Sequence, residues 1–167
     1  ESELNWFFDQ WIYGNGHPEF EFLWAGSPSL VKIGVSQQVT GSYPSLFTMP
    51  MDFRLNGIND LEENQVVWID QENINFLLNT GFQTINVTMD PNEWMLGYYS
   101  GYDVGLLGDI NLDNNVNILD IIATANYILS QTELIEDQFF LVDVDGDNTI
   151  TIMDIIQIVN IILDNLG

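Results

Sequence analysis

Two stretches of twelve residues near the C-terminus decide how the chain reads: DINLDNNVNILD from Asp109 to Asp120, and DVDGDNTITIMD from Asp143 to Asp154. Oxygen-bearing side chains fall at positions one, three, five, nine and twelve of both. They are Asp109, Asn111, Asp113, Asn117 and Asp120, then Asp143, Asp145, Asp147, Thr151 and Asp154. A hard cation the size of calcium takes roughly six to eight oxygens, so a chain that wraps once around it needs oxygen at such intervals. The backbone carbonyl of position seven, Asn115 or Thr149, and a water complete the expected shell. Position eight, Val116 or Ile150, is apolar and expected to point inward. Asn114 and Asn148 at position six suit a left-handed turn, which Asn tolerates better than other non-glycine residues. One such cluster is easily an ordinary polar turn. Two in matching register, each running into an apolar helix, predict two bound calcium ions. Four carboxylates in the second loop against three in the first predict the tighter site there. Mutual repulsion of the ligands predicts that chelation unfolds about residues 105 to 165 and spares the rest.

The spacing resembles an EF-hand loop, apart from Asn at position six and Asp in place of Glu at position twelve. GDINLDNNVNILDIIATANYIL, followed by a second copy 34 residues on with no helix leading into the first loop, resembles the type I dockerin family over about residues 105 to 165. The resemblance implies two half EF-hands that dock a cohesin-like protein. The family reads its partner at loop positions ten and eleven, often Ser-Thr in cellulosomal members, and then at basic residues further along the helix. Here those positions are Ile118-Leu119 and Ile152-Met153, then Asn126-Tyr127 and Asn160-Ile161. The calcium half of the pattern carries over and the cohesin-reading half does not.

With 25 acidic residues against Lys32 and Arg54, the formal charge is −23, which excludes nucleic acid and anionic membranes as partners because nothing neutralises phosphate. Apolar residues make up 46% of 167, enough to build cores and too many for a disordered acidic tail. Seven acids sit in the two loops, so calcium would cancel about four charges and leave the chain acidic. Calcium is plentiful outside cells, and cysteine is absent. Both features point to a secreted, extracellular bacterial protein. A start at Glu1 without Met or signal peptide suggests a mature or released piece of a longer precursor.

Residues 3 to 12 place Leu4, Phe7, Phe8, Trp11 and Ile12 on one helix face. Such a short apolar helix must lie against something. It either packs on the following domain or is the severed end of a helical one. From Glu19 to about Asp103 the period is two, with strands expected at Glu19 to Ala25, Leu30 to Ser36, Leu46 to Leu55, Gln65 to Asp70, Asn73 to Leu78 and Thr84 to Met89. Tyr98 to Val104 reads as a connection too short to be floppy, which implies that the sandwich and the calcium module are packed together. The fold expected is mainly β plus α. An N-terminal helix and turn (1–18) precede an antiparallel Ig-like β-sandwich (19–103), and a small α-helical dockerin-like module with two EF-hand-type calcium loops follows (104–167).

FFDQWIYGNGHPEFEFLW, Phe7 to Trp24, resembles the junction between catalytic domain and sandwich in zinc aminopeptidases of the aminopeptidase N family. The likeness extends through VKIGVSQ, FTMPMDFRLNG and TINVTMDPNEWML to about Leu96. That family's chemistry needs two His and a Glu on zinc and a second Glu as base. His17 is the single histidine here, in a Gly-His-Pro turn, so no peptidase role carries over and an enzyme is not expected.

The helix Ile152 to Leu163 is apolar on nearly every side. Ile155, Ile156, Val159, Ile162 and Leu163 are expected to bury against the helix Ile118 to Leu129, leaving Ile152, Ile158 and Ile161 for the sandwich or for another molecule. Two non-catalytic functions follow. The fragment self-associates into an oligomer or filament through these residues and the N-terminal stripe, or it anchors a parent enzyme to a cohesin-like scaffold.

Overall fold

The computed structural model describes residues 4–130 and 133–165. Glu1, and Glu3 where the sequence-based helix begins, lie outside them. Among the described residues there are seven strands in two sheets and four helices. α1 (Asn5–Trp11) leads into β1 (His17–Gly26), β2 (Leu30–Thr40), β3 (Met49–Gly57), β4 (Glu62–Ile69), β5 (Asn73–Asn79), β6 (Thr84–Met89) and β7 (Tyr98–Leu106). α2 (Ile118–Ser130), α3 (Glu136–Val142) and α4 (Ile152–Asp164) follow. The sheets run in the orders β5-β2-β1-β7 and β4-β3-β6.

Alternation along the strands builds the sandwich. Phe20, Phe22 and Trp24 of β1 and Val31, Ile33 and Val35 of β2 turn inward to meet Met51, Phe53 and Leu55 of β3. Several of the residues between them are buried as well, although Glu21 is exposed. Leu23, Ala25, Leu30 and Leu77 join a second core with Leu107, Ile110, Phe140, Leu141, Val144, Ile158 and Ile161. Over β2 and the C-terminal half of β1 the four-stranded sheet is therefore covered on both faces, by the other sheet and by the C-terminal helices. That accounts for the unbroken burial of β2 from Val31 to Val35.

Three sequence-based expectations need correction. Tyr98 to Val104 is not a connection but most of β7, which lies parallel to β1 with Glu19 opposite Tyr98 and Trp24 opposite Asp103. The sandwich is thus not wholly antiparallel. Residues 98–103 are exposed on both faces, so no alternation marked them as a strand. Gly101 belongs here because a Cβ would sit 2.3 Å from the Phe22 ring.

The second correction concerns α1, which docks by only one residue of the expected apolar face, Trp11, together with Trp6 and Gln10 from outside that face. Trp6 and Trp11 pack on the sandwich core, Trp11 at 4.7 Å from the Phe47 ring. Buried Gln10 donates to Thr48 Oγ1 (2.9 Å) and accepts from the Thr48 N–H (2.8 Å). Leu4, Phe7, Phe8 and Ile12 stay exposed. The third concerns α4: Ile156 and Leu163, expected to bury against α2, are exposed, whereas Ile158 and Ile161 are buried in a core shared with the sandwich and Ile152 is exposed, each one of the two outcomes expected for them. The reason is the rotation that the preceding loop imposes, described next.

Candidate metal loops and the helix faces beside them

β7 feeds the first loop without a linker. Leu107 N–H still bonds to Gly26 of β1, and Gly108 (φ 99°) turns the chain and donates to the Leu141 carbonyl. Both loops then fold on their own side chains. Asp109 Oδ1 and Oδ2 accept from the N–H groups of Asp113 (3.2 Å) and Asn114 (2.8 Å). Asn111 Oδ1 accepts from Asp113 N–H, and Asp113 Oδ1 from Asn115 N–H. Asp120 reaches back to the N–H groups of Asn111 (3.4 Å) and Asn117 (2.8 Å). The second loop repeats this scheme. Asp143 Oδ2 accepts from Asn148 N–H, Asp145 Oδ1 from Asp147 N–H, and Asp147 Oδ1 from Thr149 N–H. Asp154 binds the N–H groups of Val144 and Thr151, both at 2.8 Å. Position six has the expected left-handed backbone, with φ 63° at Asn114 and 64° at Asn148. Position four does as well, at Leu112 (60°) and Gly146 (75°), which the sequence reading passed over. Val116 and Ile150 are partly buried against the second core, as expected.

The loops also start the helices. Asn117 Oδ1 accepts from Leu119 N–H and Thr151 Oγ1 from Met153 N–H, and the aspartate three residues on bonds back to the cap's own N–H. Position twelve must point into its loop, and this sets how each helix is rotated. Asp120 and Thr124 on α2, and Asp154, Ile158 and Ile161 on α4, follow the i, i+4, i+7 line and are buried. The opposite side faces water, with Ile118, Leu119, Ile122 and Leu129 on α2 and Ile152, Met153, Ile156 and Leu163 on α4. Exposure in this set runs from 48% at Ile156 to 83% at Leu129. Each residue of the first set lies 34 positions before its counterpart in the second, so the two faces are copies.

The carboxylates are held against their own repulsion. Asp109, Asp120, Asp143 and Asp154 are all buried. Burial pushes the Asp120 carboxyl above the usual aspartate range, opposed by the N–H groups of Asn117 and Asn111. Asp145 is likewise raised by burial, opposed by Asp147 N–H. Asp143, Asp145 and Asp147 bring ligand atoms within 4.8 Å of one another. Asp143 Oδ1 is buried with no hydrogen-bond partner, and the all-oxygen donor set suits calcium.

One contact was invisible in the sequence. Lys32 of β2, fully buried, sends its ammonium into the second loop. It donates to the Phe140 carbonyl (3.1 Å) and the Asp143 carbonyl, and pairs with Asp143 Oδ2 at 3.1 Å. Burial pulls it below the usual lysine range, opposed by Asp143. Asn75 of β5 donates to the Gly146 carbonyl (3.4 Å) and Ser29 to the Asp164 carboxylate (2.7 Å), which fastens loop and helix to the sheet. The first loop leans instead on α3, through Gln138 and the Ile110 carbonyl (2.8 Å).

Two acidic loops, each capping the helix it precedes, define a duplicated loop-and-helix module. Residues 107–164 match the family model of the dockerin type I domain. Dockerin type I domains bind calcium, and the Asp143, Asp145 and Asp147 cluster could hold a metal ion. No curated protein matches the chain. Among solved structures, the chain is similar to aminopeptidase A of Legionella pneumophila, crystallised with aspartic acid, at 12% identity and a TM-score of 0.40. The match covers 91% of this chain and 21% of that one, and a likeness so weak leaves the aminopeptidase N resemblance unconfirmed. No helix among the described residues is long and apolar enough to cross a membrane.

Proposed function

We propose that the chain is a secreted, non-catalytic attachment piece whose C-terminal module takes two calcium ions and docks a cohesin-like protein through one of two equivalent apolar helix faces. Asp109, Asn111, Asp113, Asn117 and Asp120, with the Asn115 carbonyl, would hold one ion. Asp143, Asp145, Asp147, Thr151 and Asp154, with the Thr149 carbonyl, would hold the other. The observation that carries this reading is the duplicated exposed set, Ile118, Leu119, Ile122 and Leu129 against Ile152, Met153, Ile156 and Leu163. Each set spans about one helix side, a contiguous apolar stripe of the kind that marks protein contacts. Aliphatic residues here, in place of the family's Ser-Thr and basic residues, favour a partner whose contact surface is apolar. The charge of −23 favours one whose rim is not acidic.

Binding of the calcium-loaded chain to immobilised type I cohesin domains tests the proposal. Because the faces are copies, Ile122→Asp or Ile156→Asp alone should leave affinity within a few-fold, and the double variant should abolish binding. Loss with either single variant would show that one face alone is used. Retention in the double variant would remove these faces from the interface.

A second reading, self-association, rests on α1. Exposed Phe7 and Ile12 border a groove of about 410 Å³ with Trp6, Trp11 and Met49, continuing to Trp94 and Leu96, which are 80% and 74% exposed. Sedimentation of the calcium-loaded chain with and without Phe7→Asp tests it. A monomer in both excludes it.

A further inference from the structure

Lys32 is one of two basic residues in the chain, and the other, Arg54, pairs with Glu62 on the far sheet. The two loops therefore differ at their first ligand. Both oxygens of Asp109 are taken by backbone N–H groups, and no basic side chain among the described residues pairs with it. Asp143 shares Oδ2 between Asn148 N–H and the Lys32 ammonium and leaves Oδ1 buried and unpartnered. A buried carboxylate without a counter-charge strongly opposes folding. In the first loop only a bound cation can supply that charge, whereas in the second Lys32 already does so. The same ammonium must repel any further cation placed on the same carboxylate.

Resting on the reading that both loops take calcium, we infer that Lys32 is a positioning residue and resident counter-charge of the second loop. It keeps Asp143 and its loop seated on β2 without metal and lowers that loop's calcium affinity, so that occupancy of the first loop governs the order of the module. A count of carboxylates alone ranks the sites the other way, because it omits Lys32. The backbone supports the seating. Gly146 carries no Cβ where one would lie 3.1 Å from Asn75 and 3.7 Å from Lys32 Cε, so the loop rests directly on the sheet.

Titration of the full chain with calcium chloride, followed by calorimetry, compares wild type with Lys32→Met and Lys32→Arg, alongside thermal melts in calcium and in chelator. Wild type should take two ions in separable steps. Lys32→Met should tighten the weaker step by about tenfold or more and leave the stronger one unchanged. Lys32→Arg should keep the weak step. The Met variant should melt lower by about 5 °C or more in chelator, with little change in calcium. An unchanged weak step, or an equal drop in melting temperature with and without calcium, overturns the inference and makes Lys32 a packing residue only. If Lys32→Met does not fold without calcium, amide exchange of wild type in chelator decides. Val144 and Thr151 should stay protected while Asn114 and Asn117 exchange, and equal exchange overturns the proposal. Fewer than two ions bound by wild type overturns the reading of the loops themselves, and the inference with it.

Discussion

At the scale of single residues, the aspartate at position twelve is both the last expected ligand and the residue that orients its helix. Periodicity alone could not choose the buried side of α4, since apolar residues surround it. The line from Asp154 through Ile158 to Ile161 does choose, once the aspartate is required to face its loop. Ile158→Ala should therefore cost about 2–5 kcal/mol in urea unfolding. Ile156→Ala should cost under about 1 kcal/mol. Comparable losses would mean that α4 is rotated otherwise. Titration offers a second check. Burial raises the Asp120 and Asp145 carboxyls, so the folded metal-free chain binds these protons more tightly than the unfolded chain does. Their cost to folding is greatest at neutral pH and is relieved as pH falls through the raised values toward the unfolded one. The metal-free protein should accordingly melt higher at pH 5 than at pH 7. The calcium-loaded protein should melt lower at pH 5, because protons then compete for the ligands. Melting curves that fall in parallel on acidification would contradict this. The two loops, their left-handed turns and the caps they form were legible in the sequence because spacing along one local segment sets them. The exposed and buried sides of the helices were not.

At the scale of elements, the six strands expected from period-two runs between turn residues were found within a few residues, while β7 and α3 were not. β7 hides because its first six residues are exposed on both faces. α3 is only seven residues long, and its run Phe139 to Val142 has no helical period to read. α1 was placed correctly, but a glutamine anchors it, and a pattern of apolar residues cannot announce that. Gln10→Ala removes both bonds to Thr48 and leaves its partly buried N–H unpaired, at a cost of about 1–3 kcal/mol. Its effect should be local: fluorescence of Trp6 and Trp11 should shift red before global unfolding. Unchanged fluorescence and stability would mean that the aromatic packing alone holds the helix.

At the scale of the whole molecule, the union of sandwich and module was expected from the short junction, but its chemistry was not. Lys32 and Asp143 are 111 positions apart, and nothing near either residue in the sequence hints at the other. Because Leu23, Ala25, Leu30 and Leu77 belong to the module's core, each half covers apolar surface of its neighbour. All five tryptophans lie at or before residue 94, so indole fluorescence reports the sandwich and helical circular dichroism chiefly the module. With calcium, the two signals should lose amplitude together in urea. With chelator, the helical signal should go first, at about 1 M lower denaturant or more. Coincident curves in both conditions would refute a calcium-dependent module. The direct passage from β7 through Gly108 into the first loop has a kinematic consequence as well. A module on a tether samples orientations by swinging; this one has no swivel and turns only when the 19.0 kDa body turns. A scaffold that captured it would impose its own heading on the sandwich, in the manner of a bracket and not of a leash.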